Sequence, residues 1–401
     1  MRTAALLAAC LLMLNCPGIV VSAAPPSAVQ EDLLAPAQRL ADAARVLSLP
    51  SDVLPHSAQG VEYVLGALNT GAGASDAGVA QAALSALARI TDEQPPGADG
   101  SSPALVIAAL EGGAMGAVAA ALRQHGNHRR VAGAACAAVY ALGRHTAAYE
   151  SAGTAGVMEL VHGALVQHAS DGEVVAMCSH ALMHLGIDAG HKARFGELAG
   201  APATLLGALR THSDNMRVAR CVCGALNNCA AGHSGNKAAV VAAGGLEAVT
   251  QTLLAHRRDA NVAEQACGAL AVLAMTEGAS QRAMKAGSIE SVVAVLEAHS
   301  GQRRPKQSTG RAPLAPSARV VASCARAVAS IAWADADAQR LARDVLAPEA
   351  LRAAQSAFSE DPHVQKWTAK ALEKVSDPVI ESFFEGMMSN DMQTKAKRGE
   401  L

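Results

Sequence analysis

The chain has 401 residues, of which 51% are hydrophobic and only 2% aromatic, and its formal net charge at pH 7 is −2. So few aromatic side chains disfavour a base-stacking surface for single-stranded nucleic acid, and the near-neutral charge disfavours a phosphate-binding face. The length would suit two ordinary domains, but an apolar content made mostly of Ala, Val and Leu also suits closely stacked helices.

The first predicted element covers residues 1–24 and has the layout of a secretory signal peptide. Arg2 precedes an apolar run over residues 4–14, a break at Pro17 follows, and small residues lead to a cleavage position near Ala23. An organelle transit peptide, an uncleaved anchor and a misplaced start codon are the alternatives. We expect the protein in the secretory pathway, in the endoplasmic reticulum lumen or secreted, and in the cytoplasm if the segment is not a signal.

After a lead-in over residues 25–59, the sequence repeats itself at a fixed interval in the low forties. Glycines recur at Gly113, Gly156, Gly200, Gly244 and Gly287. Histidines keep the same interval at His125, His168, His212, His256 and His299. A period of this length marks a helical solenoid, in which each unit buries its apolar face only against its neighbours.

Seven valines mark seven units, because each is followed at one constant distance by a small residue and an aliphatic one. They are Val79, Val131, Val174, Val218, Val262, Val320 and Val364. Two of the intervals are longer, and the excess falls in turn-rich stretches, residues 91–103 and 300–318. Insertions in repeat proteins enter loops, since a helix that must stack cannot change its length freely. The solenoid is therefore predicted over residues 60–375.

One unit, residues 236–275, shows the pattern within the repeat. A short apolar stretch ends at Gly244 and Gly245, where paired glycines permit a sharp turn. An amphipathic second helix then runs to His256, and a third begins near Asn261. The sequence thus predicts an all-α fold with three helices in each unit, the first of them short.

These patterns resemble the armadillo family. Lys237–Leu254 is similar to the family's first helix, glycine turn and second helix, and Ala225–Asn228 is similar to its third-helix A-L-x-N-L signature. The resemblance implies a right-handed α-solenoid of about seven three-helix units. It also implies a non-enzymatic scaffold or adaptor, without a cofactor, that binds proteins or extended peptides along a concave groove. No P-loop, G-x-S-x-G or H-E-x-x-H motif occurs in the sequence.

A second function is consistent with the same resemblance. Armadillo-type nucleotide-exchange factors of Hsp70 share the fold, and one branch of them resides in the endoplasmic reticulum. The signal-like residues 1–24 motivate this alternative, a chaperone cofactor of the secretory pathway. Neither function predicts an oligomeric state.

The resemblance also indicates where a partner would bind. In the family the third helices line the groove, and the Asn of A-L-x-N-L holds the backbone of an extended peptide. Asn228 matches that position, and we expect its amide to face a ligand. Other residues occupy the equivalent positions, so the candidate partner-binding residues are Arg89, His184, Asn228, Ser330 and Lys374. The tryptophan that import adaptors carry four residues earlier is absent, which disfavours nuclear localisation signals as ligands.

The recurring histidines and cysteines are predicted to be structural. One histidine per layer cannot converge on a metal ion, because packed helices lie about 8–10 Å apart. Each is expected instead to cap the last turn of a second helix. His180 and His184 have zinc-like spacing, but no glutamate lies between them. The cysteines recur at nearly one helical phase, which favours core packing over disulfides and suits a reducing compartment.

Two further segments each have more than one interpretation. Residues 300–318 are basic and proline-containing, which predicts a flexible solvated loop, with an acidic partner or phosphorylation as the alternatives. Residues 376–401 include an amphipathic stretch, predicted to be a helix that caps the last unit, or otherwise a helix for a partner's groove. No segment after the first offers the roughly 20 uninterrupted apolar residues of a membrane span.

Overall fold

A computed structural model describes residues 58–69, 75–92, 103–301 and 315–376, and every regular element in those ranges is an α-helix. The first unit contributes two helices, α1 (Ala58–Asn69) and α2 (Ala77–Asp92). Three complete units follow: α3 (Ala104–Glu111), α4 (Ala114–His125), α5 (Arg129–Gly143), α6 (Ala148–Ala155), α7 (Val157–Gln167), α8 (Gly172–Leu185), α9 (Ala189–Glu197), α10 (Ala201–Thr211) and α11 (Met216–Ala230).

Three more complete units finish the described part of the solenoid. Their helices are α12 (Ser234–Ala242), α13 (Gly245–Ala255), α14 (Ala260–Leu273), α15 (Ala279–Lys285), α16 (Ser288–His299), α17 (Ala318–Ile331), α18 (Ala336–Asp344), α19 (Ala347–Ala357) and α20 (Pro362–Val375). The predicted all-α solenoid of repeated three-helix units is confirmed.

The third helices form the continuous layer of the solenoid. Each of α2, α5, α8, α11, α14, α17 and α20 packs most extensively against the third helices before and after it. Their register residues supply the contact, and Leu226 and Leu270 are both fully buried. Burial of a leucine side chain stabilises a fold by roughly 1.5–3 kcal/mol, so the aliphatic residue that recurs in each unit contributes to the cohesion between units.

Within each of five successive units, the predicted glycine turn joins the first helix to the second. Gly113, Gly156, Gly200, Gly244 and Gly287 all have positive φ, between 68° and 91°. The last unit departs from this rule, because Leu346 holds the same left-handed position with φ 61°. A side chain in this conformation costs roughly 1–2 kcal/mol, so the last turn is strained where the earlier ones are not.

The five histidines stand at the C-terminal ends of the second helices, as predicted, and the rings of the last four bond to the preceding unit. Nε2 of His168 donates to the Gly126 carbonyl over 2.7 Å, and Nε2 of His212 donates to the Ala169 carbonyl over 2.8 Å. His256 and His299 repeat the bond. The expected partner, the helix's own last turn, is therefore corrected to the turn of the neighbouring unit.

Cysteines of the solenoid lie in its core, as their helical phase predicts. All seven in the described ranges are buried and unbridged. Burial raises the pKa of Cys223 and of Cys229 to about 12, which keeps both protonated at neutral pH. Two pairs meet across neighbouring third helices, with 2.7 Å between the sulfurs of Cys136 and Cys178 and 2.8 Å between those of Cys267 and Cys324.

Several predicted segments lie outside the described residues. They are the signal-like residues 1–24, nearly all of the lead-in, most of the insertion at 300–318, and the C-terminal segment after Ser376. Among the helices that are described, none is by itself long and apolar enough to cross a membrane. Two sharply bent pairs, α3 with α4 and α12 with α13, reach that length and composition only when each pair is taken together.

Candidate functional site

The five predicted groove residues all lie on third helices, where Arg89 stands apart and the other four lie at two places. Arg89 is exposed on α2, whereas His184, Asn228, Ser330 and Lys374 are half-buried on α8, α11, α17 and α20. We call the surface that these helices share the third-helix face. His184 and Asn228 belong to one cluster on it, and Ser330 and Lys374 to another.

The first cluster, the histidine–tyrosine patch, consists of Tyr140, Arg144, His180 and His184. The rings of Tyr140 and His180 stack with 3.8 Å between centroids, and His184 meets Tyr140 edge-on at 5.1 Å. Nη1 of Arg144 pairs with Oδ1 of Asp92 over 2.7 Å. The aromatic and charged groups of this patch are thus largely engaged with one another.

Electrostatics keep the two imidazoles neutral. Burial, followed by the charges of His184 and Arg220, lowers the pKa of His180 to about 3. Burial, followed by the charge of Arg144, lowers the pKa of His184 to about 4. A neutral imidazole can ligate a metal, but within the described ranges no group of three potential ligand side chains comes together. The patch therefore offers an aromatic surface whose two imidazoles are neutral near pH 7.

Asn228 borders the histidine–tyrosine patch and is used within the fold. Its Nδ2 donates to the Met183 carbonyl on the preceding third helix over 2.8 Å. The sequence led us to expect that this amide faces a ligand, which stays a prediction, and the structure places one of its donors between α11 and α8. Asn228 thus joins two units, whatever else it contacts.

The second cluster, the tryptophan–lysine patch, consists of Met275, Arg326, Trp333, Trp367 and Lys370. Trp333 is 54% exposed and Met275 50% exposed, and, unlike the singly exposed apolar side chains elsewhere, these two line the same pocket. Lys370 Nζ lies 5.0 Å from the centroid of the Trp367 ring. The predicted residue Lys374 joins the cluster, with its Nζ 4.5 Å from the centroid of the Trp333 ring.

A pocket of about 290 Å³ opens within the tryptophan–lysine patch. The predicted residue Ser330 lines it beside Val272, Met275, Trp333 and Trp367. Its cationic lining residues are Lys237, Arg326 and Lys370, and its lining includes no carboxylate. The pocket therefore combines an apolar wall with positive charge.

The aromatic residues of both patches were not predicted from the sequence. Tyr140, Trp333 and Trp367 were not among the candidates, although they are on or beside third helices. The repeat does contain a signal for one of them, since Trp333 follows Val320 at the distance at which Met275 follows Val262. Extending the register past the end of each third helix would have found this pair.

Comparison with solved structures gives the same fold. An engineered protein superposes with a TM-score of 0.63 at 24% identity, covering 85% of this chain and 75% of that one. A structure from work on a phosphorylation switch in the interaction between cadherin and beta-catenin superposes with a TM-score of 0.58 at 18% identity, covering 84% of this chain and 58% of that one.

A third similar structure is of computationally designed armadillo repeat proteins for modular peptide recognition. Its TM-score is 0.50 at 18% identity, with 67% of this chain and 99% of that chain covered. The sequence matches no protein-family model and no curated protein. The protein has an armadillo-like repeat fold, and identities this low establish the fold alone.

Proposed function

We propose that the protein is a non-enzymatic interaction scaffold that binds extended segments of other proteins along its third-helix face. The observation that carries the proposal is the tryptophan–lysine patch, where large apolar side chains stay exposed above a pocket. Exposed apolar clusters rimmed by polar groups mark interaction sites in folded proteins. The designed proteins for modular peptide recognition, which share the fold, support the same function.

The geometry of the face favours an extended ligand. Packed helices lie about 8–10 Å apart, and an extended chain advances about 3.3 Å per residue. About every third residue of a bound segment therefore reaches the next unit. A folded globular partner would contact only the edges of the row of third helices. An extended segment can place side chains against each of these helices in turn.

Selection from a library of random peptides displayed on phage tests the proposal on the full chain. We expect the recovered peptides to lose about tenfold or more in affinity for the double variant Trp333→Ala, Trp367→Ala, because aromatic anchors carry much of the energy of interfaces. Val166→Ala is the matched control, since Val166 is 53% exposed but lies on the second helix α7. Failure to recover any peptide, or equal binding to the double variant, would refute the proposal.

The signal-like residues 1–24 motivate a separate proposal, that the protein works in the secretory pathway. An Hsp70 nucleotide-exchange factor is the alternative function there. Mass spectrometry of the mature N-terminus from cells tests the location, with a start near Ala23 expected and an intact Met1 contradicting it. If the protein is purified from the secretory lumen and no lumenal Hsp70 is recovered with it, the function as an exchange factor is contradicted.

A further inference from the structure

The charge on Arg326 is not balanced within the described residues. Its side chain is half-buried, and its Nη2 donates to the Gly268 carbonyl over 3.1 Å. Its Nε is buried and has no hydrogen-bond partner. No carboxylate in the described ranges lies within ion-pair distance of this guanidinium. Arg144, in the other patch, shows the usual solution, an ion pair with Asp92.

A half-buried cation without an anion is costly. Removing a charge from water disfavours it unless a counter-charge or hydrogen bonds replace the lost hydration. Burial lowers the pKa of Arg326, yet a guanidinium stays protonated in proteins. The arrangement is relieved when an incoming group supplies the negative charge.

Nearby carboxylates already have partners, one of them within the patch itself. Glu373 pairs with Lys374 over 2.8 Å, and Glu264 with Arg319 over 3.5 Å. Asp335 accepts hydrogen bonds from the first amides of α18. Lys237 and Lys370, which line the pocket with Arg326, form no ion pair in the part of the chain that is described. The lining of the pocket therefore carries three positive charges and no negative one, while Glu373, outside the lining, interacts with Lys370 and Lys374.

We propose that the tryptophan–lysine patch binds an acidic peptide segment with a large apolar side chain next to its carboxylates. A carboxylate pairs with Arg326 and Lys370, and the apolar side chain enters between Met275, Trp333 and Trp367. A pocket of about 290 Å³ has room for one bulky side chain. This inference rests on the proposed function and adds the class of partner to it.

Intrinsic fluorescence reports this site directly, because the only two tryptophans of the sequence, Trp333 and Trp367, are both in the patch. The probe is a peptide of alternating glutamate and leucine, titrated into the full chain. Two matched peptides carry lysine in place of glutamate, or alanine in place of leucine. We expect saturable quenching by the first peptide, weaker binding at higher salt, and little response to the other two.

Variants locate the binding energy. Arg326→Gln is expected to weaken the acidic peptide about tenfold or more, and Lys370→Gln, on an exposed side chain, by severalfold. Lys370→Gln keeps the test valid if Arg326→Gln disturbs folding. Arg340→Gln is the control, because Arg340 is 69% exposed and pairs with Asp337 on α18. Equal affinity of Arg326→Gln, Lys370→Gln and the unaltered chain would overturn the inference.

The outcomes separate this inference from the proposed function. If only the lysine peptide binds, and does so in a Trp333-dependent manner, the scaffold stands and the acidic partner is wrong. If none of the three peptides binds although the random library yields Trp333-dependent binders, the scaffold stands and the acidic partner is wrong, and if the library fails as well, both are wrong. Tighter binding of a thymidine oligonucleotide than of the acidic peptide would assign the positive charge to nucleic acid. Binding only by a chain truncated after Ser376 would assign the pocket to the protein's own C-terminal segment.

Discussion

The histidine–tyrosine and tryptophan–lysine patches lie on the same row of helices, but they differ in how far their side chains satisfy one another. In the first, Arg144 has Asp92, and Tyr140 stacks on His180. In the second, Arg326 lacks a carboxylate among the described residues, and Trp333 is largely exposed. A repeat fold fixes where side chains project, and the local sequence decides whether they serve the fold or a ligand.

From this difference we expect separate roles for four of the predicted groove residues. Asn228 bonds to the Met183 carbonyl, and His184 packs against Tyr140, so both hold third helices together. Ser330 and Lys374 instead belong to the patch with the open pocket and the exposed tryptophan. We therefore expect substitutions in the first patch to affect stability, and those in the second to affect binding.

Substitution of buried leucines should have the largest effect, and it tests whether the core is packed equally well under both patches. Leu182 on α8 and Leu270 on α14 are both fully buried. Replacing either by alanine should cost about 2–5 kcal/mol of unfolding free energy, measured by urea denaturation. Leu254→Ala, at a side chain that is 43% exposed, is the control and should cost far less. A loss below about half a kcal/mol at one buried site would show that its layer is loosely packed.

Acidification should weaken the histidine–tyrosine patch selectively. The pKa of His180 falls from its ordinary 6.5 to about 3 on folding, so the unfolded chain binds the proton more readily. The stability that depends on a neutral His180 is fully present above pH 6.5 and is lost as the pH falls below that value. The unfolding free energy decreases by about 2 kcal/mol at about pH 5.

His180→Phe isolates this effect, because a phenyl ring can still stack on Tyr140. The variant should lose less unfolding free energy between pH 7 and about pH 5 than the unaltered chain does. Chemical denaturation at the two pH values measures both. Identical losses in the two proteins would exclude His180 as the source of acid sensitivity.

The turn between the first and second helices has a leucine in the last unit and a glycine in the units that form the histidine–tyrosine patch. Gly200→Ala should cost about 1–2 kcal/mol, because Gly200 has φ 74° and an added Cβ meets no neighbouring atom, leaving backbone strain alone. Leu346→Gly should stabilise the chain by up to a similar amount, less whatever contacts the leucine makes. Thermal unfolding measures both, and changes of the same sign would disprove the strain at Leu346.

The smallest effects sharpen the contrast between the patches most. Asn228→Ala should cost about 1 kcal/mol, because it removes the bond to the Met183 carbonyl, and should leave affinity for the acidic peptide unchanged. Ser330→Ala should leave stability within about half a kcal/mol and alter that affinity measurably. Denaturation and fluorescence titration of both variants supply the comparison. An exchange of these two results would reverse the assignment of the patches.

Much of the fold was predictable because the repeat makes its determinants local. The positions of Gly200, Leu226 and Leu270 followed from spacing, and the structure gives them a left-handed turn and full burial. The predicted start of the third helix near Asn261 was one residue late, because Asp259 caps a helix that begins at Ala260. The candidate site was predicted less completely, since Trp333 and Trp367 lie at positions of the repeat that were not compared.

The solenoid follows from the amino-acid pattern alone, because each unit packs on its neighbours and every unit carries the same apolar marks. Only the tertiary structure decided which side chains of different units meet. Examples are the bonds of His212 to the turn before it, of Asn228 to Met183, and of Arg326 to Gly268. The physical reason is that the period encodes the length of a unit, whereas the rotation and offset between stacked units set these contacts.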